Sequence, residues 1–266
     1  MNDERFVPDE SAPSERPSRL PREEVRSRLL DAALSVVRAE GLRVGVGHLA
    51  LEDVIRSAGV SRSTVYRIWP TRQDFYDELI AAIPERVLTS RLDQSSLTEG
   101  DSYLHRHIAP TASPEQRRQI VAASVSMAIE ANFENVFSSQ TWRNFLALSG
   151  AVDSHEEPAR SAIHEALRAR QTHFIENMAK YYRHTFAEAG LRLRPGYDYA
   201  AFASAVAAFV EGLCIARVAA PELVTGPVDA SRPESPSLVV AGVLMLLDGF
   251  SEPVPTGDDA AHRASD

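Results

Sequence analysis

At 266 residues the chain is long enough for one large or two modest domains with proper hydrophobic cores. Its formal net charge of -9 argues against a molecule coated all over by nucleic acid, and its one cysteine, Cys214, excludes an intrachain disulfide and a cysteine-based zinc site. The N-terminus lacks the apolar run of a signal peptide and the longest apolar run, Leu238 to Leu247, is too short for a bilayer, so a soluble cytoplasmic protein without a membrane partner is expected.

Residues 1–21 are rich in Pro, Ser, Arg and acids and nearly devoid of apolar side chains, which predicts a disordered tail. A helix follows from about Arg22 to Glu40, with Val25, Leu29, Ala32, Ala33, Val36 and Val37 on one face and Gly41 as its stop. After a loop containing Gly45 and Gly47 come two short helices, about Leu49 to Ala58 and Ser61 to Trp69, joined by a tight turn at Gly59. Pro70 and Thr71 break the chain, and a longer helix starts near Arg72 with Phe75, Leu79, Ile80 and Ile83 inward; Pro84 is expected to kink or end it. Between Arg22 and Arg72 nine arginines face six acids, so a basic module sits at one end of an acidic body.

Further helices are expected at about 101–109, 114–137, 140–148, 157–189, 197–219 and 236–250. Ser113-Pro114-Glu115 and Ser235-Pro236 are read as start signals, because serine can cap and proline suits a first turn. No convincing alternating strand is visible, and residues 252–266 have the character of a second disordered tail. The fold class is therefore all-α: a three-helix unit over 22–71 and a helical body over 72–251. In the body, 236–250 is apolar almost all round (Leu238, Val239, Val240, Val243, Leu244, Met245, Leu246, Leu247), so it must be central or buried by a second molecule. Cys214, inside the apolar run Phe209 to Ala219, reads as a small buried hydrophobe.

Val54 to Pro70 carries the chemistry. Gly59 can take the positive φ that ends one helix and lets the next cross it steeply, Val60 turns inward, and Ser61 caps the second helix. Val54, Val65, Ile68 and Trp69 fill the small core, leaving Arg62, Ser63, Thr64, Tyr66 and Arg67 outward, a set of donors suited to base edges and phosphates in a major groove. Ala39-Glu40-Gly41, Ala58-Gly59-Val60-Ser61, Tyr66-Arg67-Ile68-Trp69-Pro70 and Arg72-Gln73-Asp74-Phe75 together resemble the tetracycline-repressor (TetR) family of bacterial regulators. The likeness covers about a quarter of the chain. The loop after Gly41 is about four residues longer than is usual there, Ile55 replaces a small residue and Arg72 a lysine, so contacts from His48 or Glu52 to DNA are hard to place.

The resemblance implies a helix-turn-helix that binds a palindromic operator in double-stranded DNA as a homodimer. Tyr66 and Arg72 would hold phosphates, Ser61, Arg62, Ser63, Thr64 and Arg67 would lie along the groove, and Arg62 would read a guanine or touch phosphate. It further implies dimerisation through the last two long helices and an unidentified small-molecule effector that releases the DNA. Candidate effector contacts are Met127, Phe133, Phe137, Trp142, Phe145, Phe174, Met178 and Tyr181, with Arg143, His173 and Asn177 as polar partners; plain core packing is the competing reading. The helix from Arg72 would link head and body mechanically. A repressor follows by analogy, with an activator and a helical protein-interaction module as alternatives. An enzyme is not expected: Glu-x-x-His pairs, His-Glu-x-x-His, a Gly-Lys-Ser/Thr loop and a Gly-x-Ser-x-Gly elbow are all missing, and no cofactor or metal is called for. His105 and His107 point to different sides of a helix, which suits solvated surface better than a metal.

Overall fold

The computed structural model describes residues 20–42, 49–86, 94–109 and 112–254. Residues 1–19 and 255–266, most of the two expected tails, lie outside the described residues, as do Gly45, Gly47 and His48. The chain folds as α1 (Arg22–Glu40), α2 (Leu51–Ala58), α3 (Arg62–Ile68), α4 (Arg72–Arg86), α5 (Gln94–His107), α6 (Pro114–Ser138), α7 (Gln140–Ala151), α8 (Ala159–Ala189), β1 (Leu191–Leu193), α9 (Tyr199–Ala219), α10 (Pro221–Thr225), α11 (Leu238–Phe250) and β2 (Ser251–Pro253). It is an all-α protein with one small strand pair, an N-terminal helix-turn-helix head on a helical body.

Local chemistry accounts for most boundaries. Gly41 at φ 84° closes α1, and Gly59 at φ 64° turns left-handed between α2 and α3, a conformation that costs a residue with a Cβ far more. Ser61 caps α3 by accepting from the Thr64 amide. Ser113 forms a reciprocal capping box with Gln116 around Pro114, so the first expected start signal of the body begins α6 as read. Ser235-Pro236 does not begin α11: the Ser235 hydroxyl closes a turn on Asp229, and the helix starts two residues later behind Ser237. Pro84 does not end α4, which runs on to Arg86.

A further departure comes from long-range pairing. Glu252 and Pro253 are not tail: they pair antiparallel with Arg192 and Leu191, and Arg192 bridges Glu252 at 2.7 Å. Three-residue strands carry too little alternation to show in a sequence, and only the partner segment stabilises them.

Two hydrophobic cores result. The head core joins α1 to α4 through Leu29, Leu34, Val54, Val65, Trp69, Phe75 and Leu79, and takes in Leu148, Val152 and Ile163 from the body. The body core is built on Phe133, Trp142, Phe186, Phe202, Val206, Val210, Cys214, Val239 and Val243. α9 has the length and apolar composition of a membrane span; Phe202, Val206, Val210 and Cys214 on its inner side are packed in that core. α7 contributes to both cores, Trp142 to one and Leu148 to the other.

Candidate nucleic-acid interface and effector cavity

The head is held as one unit by contacts that the sequence patterns do not announce. Glu78 of α4 accepts from Trp69 Nε1 at 2.8 Å and from Arg26 Nε at 2.6 Å, tying the end of α3 and the start of α1 to α4. The Tyr76 hydroxyl donates to the Leu49 carbonyl at 2.6 Å and fixes the approach to α2. Phe75 meets Trp69 edge-on with centroids 5.3 Å apart, and Val65 is fully buried beneath α3. Val60 and Ile68 pack half-buried against the same core, and Ile55 is itself part of it.

Burying Val65 and Trp69 turns the opposite face of α3 outward. Ser61, Arg62, Ser63 and Arg67 are exposed, with Thr64 and Tyr66 half-buried at the edge. Ser61, Ser63 and Thr64 share a hydroxyl cluster, Ser61 Oγ lying 2.7 Å from Thr64 Oγ1. Arg62 lies over the Tyr66 ring and 3.3 Å from Glu52 of α2, so the acid there restrains the arginine instead of facing outward alone. The exposed Arg72 guanidinium bonds the Tyr66 hydroxyl, which holds its pKa above the ordinary value. All seven residues expected at DNA thus lie on or beside one face, and the two assigned to phosphate touch each other.

In the body, α6, α8 and α9 enclose a cavity of about 490 Å³, edged by α5, α7 and α11. Of the eight effector candidates, Trp142, Phe174, Met178 and Tyr181 line it. Met127, Phe133, Phe137 and Phe145 do not, and neither do Arg143, His173 and Asn177. Arg217 explains two of these: its guanidinium lies over Phe133 and Phe137 and bridges Glu134 at 2.7 Å, so those rings cover a charged side chain outside the cavity. Phe145 packs against the head core and carries Arg170 on its face at 4.4 Å. Arg143 donates to the Phe137 carbonyl, while His173 and Asn177 bond each other on the outer side of α8. Met127 falls on α6 between the lining positions Val125 and Ala128, on a different side of the helix.

Among the polar groups that line the cavity, the sequence reading finds Tyr181 but not Asn132, Asn135, Arg170, Gln171 or Glu211. Tyr181 donates to Asp101 of α5 at 2.8 Å, and its hydroxyl keeps its proton more firmly than a free tyrosine because burial and that carboxylate both disfavour the anion. Burial raises the Glu211 pKa, with Arg170 opposing; burial lowers that of Arg170, with Glu211 opposing. These two charges stand 41 positions apart on different helices, so no local signal could have paired them.

α4 packs between α1 and α8, but no described α4 residue lines the cavity; the elements that border both head and cavity are α8, through Ile163 in the head core, and α7. Thr141 and Trp142 line the cavity, and two residues on Asn144, only 1% exposed, accepts from the Leu42 amide at 2.9 Å and from Gln140 at 3.1 Å and donates to the Val37 carbonyl. Val37 and Leu42 flank the end of α1.

A basic helix-turn-helix head on a hollow helical body is the class of protein these features define. No family model matches the sequence, and no curated protein is similar to it. Solved structures are similar along most of the chain. The reduced form of NemR from Escherichia coli is 12% identical over 86% of this chain and 99% of its own, with a TM-score of 0.44. SmeT, the repressor of the Stenotrophomonas maltophilia multidrug efflux pump SmeDEF, is 18% identical over 88% and 98%, with a TM-score of 0.40. SCO4454, a TetR-family transcriptional regulator from Streptomyces coelicolor, is 20% identical over 85% and 94%, at 0.37.

Proposed function

We propose that this protein is a TetR-type transcriptional regulator, a ligand-released repressor that binds a palindromic operator as a homodimer. The observation that carries the reading is the outward face of α3, where Arg62, Ser63, Tyr66 and Arg67 stand clear of the core beside Arg72. Such a helix, crossing another short one at a glycine turn, presents guanidiniums and hydroxyls suited to a major groove.

Dimerisation has its own support. Met245 on α11 is 74% exposed, Val218 on α9 is 72% and Leu223 on α10 is 71% exposed, an apolar surface that a single chain leaves in water. A second copy packed there would bury it and set two α3 helices about 34–36 Å apart for successive major grooves. An effector that prefers a body conformer with another spacing shifts the population off DNA. α7 gives the cavity one route to the head, through Asn144 and the end of α1, and α8 a second, through its packing on α4.

Selection of bound sequences from a random duplex pool at two salt concentrations tests this. Enrichment of a palindrome, weakened by salt and by Arg62→Ala, is the expected result. Random retained DNA would reject operator binding and leave α3 as a protein-docking surface.

A further inference from the structure

The fold treats the two arginines on the outer face of α3 differently. Arg67 is exposed, and among the described residues it makes no ion pair or ring contact. Arg62, the first residue of α3, is gripped from two sides. Its guanidinium lies over the Tyr66 ring, 5.5 Å from the centroid, and its Nη2 is 3.3 Å from Oε1 of Glu52, which reaches across from α2. The Tyr66 hydroxyl is in turn bonded to Arg72, so a second guanidinium steadies the ring.

Glu52 does not hold this position for the sake of stability. Its Oε1 is shut away from water and finds no hydrogen-bond donor among the described residues, which costs the carboxylate part of its solvation. An ion pair with a partner that is 66% exposed returns little of that cost. Asp53, the next acid, shows the ordinary alternative: it stays exposed and pairs within its own helix with Arg56 at 3.0 Å. The Glu52 charge also reaches Arg72, where it adds to the larger effect of the Tyr66 hydroxyl in keeping that guanidinium protonated. A fixed anion on a surface that meets phosphates repels every duplex alike. A feature that lowers both stability and general affinity is accounted for by specificity, which is a difference between affinities.

Resting on the reading of α3 as the helix that enters DNA, we propose that Glu52 is the positioning residue that commits Arg62 to base edges and keeps it off the phosphates. The first residues of a recognition helix are those that meet base edges. An arginine with its full rotamer freedom takes any phosphate within reach, a contact that carries no sequence information. Held between the carboxylate and the ring, the guanidinium enters the groove in one orientation, its ordering already complete before DNA arrives. Guanine, with two acceptors on its major-groove edge, is the base that suits it.

The full chain is tested first without DNA. Relaxation of the Arg62 Nε–H group should show an ordered guanidinium in the parent and a mobile one in Glu52→Gln, in proteins whose circular dichroism matches. Binding is then measured to a random duplex and to the selected operator with each base pair replaced in turn. Glu52→Gln should tighten the random duplex at least threefold and steepen its salt dependence by about one per subunit, as Arg62 takes a phosphate. Discrimination at the base pair that Arg62→Ala relaxes should fall about tenfold, with the other positions unchanged. Glu52→Asp, which keeps the charge on a shorter stem, should recover part of that loss. Glu52→Gln added to Arg62→Ala should change discrimination no further. A mobile Arg62 in the parent, or full discrimination in Glu52→Gln, overturns the role of Glu52 while operator binding stands. An equal loss at every base pair makes Glu52 a merely structural residue and overturns it too. A chain that selects no operator rejects the reading of α3, and the base readout with it.

Discussion

Replacing Asn144 by alanine probes the junction between head and body most directly. The side chain accepts from the Leu42 amide and from Gln140 Nε2 and donates to the Val37 carbonyl. Val37 keeps a partner in the Gly41 amide at 3.0 Å, and the half-buried Gln140 can turn to water, so the group left stranded is the half-buried Leu42 N–H. An orphaned buried donor costs about 1–3 kcal/mol, and the small void adds to it, which places Asn144→Ala at about 2 kcal/mol less stable than the parent. Asn144→Asp keeps an acceptor for Leu42 but puts a charge where only 1% of the residue is exposed, and should cost at least as much. Urea unfolding at fixed protein concentration gives the difference, since a dimer's stability depends on concentration. Amide exchange should show lost protection at Leu42 while the α9 amides keep theirs. A loss below about 0.5 kcal/mol, with Leu42 still protected, would refute the claim that this side chain fastens α7 to the head.

Three other outcomes follow from particular contacts. Arg67→Ala should weaken selected and random duplexes alike and lower the salt slope by about one, whereas Arg62→Ala should relax preference at one base pair; competition binding at several salt concentrations separates the two. Val218→Glu combined with Met245→Glu puts charges into the surface assigned to the second copy, and sedimentation should show a shift from dimer to monomer with helicity unchanged. Burial raises the Cys214 thiol to about 11, so at pH 8 it should resist a disulfide reagent in the folded protein and react at once in urea. Because the folded thiol holds its proton more tightly than the unfolded one, its contribution to stability is whole below about pH 9 and is lost as pH rises through about 11, which pH-dependent urea midpoints would record.

The head is legible in local signals: a glycine stop, a left-handed turn at Gly59, a serine cap and inward positions at 54, 65 and 69. These are local signals, each deciding the conformation of residues within one or two turns, so they survive without knowledge of the rest of the chain. The same holds for the all-α class and for the capping box that starts α6. Tertiary structure decided everything that depends on which helices become neighbours. Among the aromatic residues of the body, helical spacing could not separate Phe174, which lines the cavity, from Phe133 and Phe137, which lie under Arg217. Arg170 with Glu211, Asn144 with Leu42, and Arg192 with Glu252 join residues 41, 102 and 60 positions apart. Burial gives each of these polar groups its meaning, and burial is a property of the assembled helices, with no counterpart in the order of residues along any one of them.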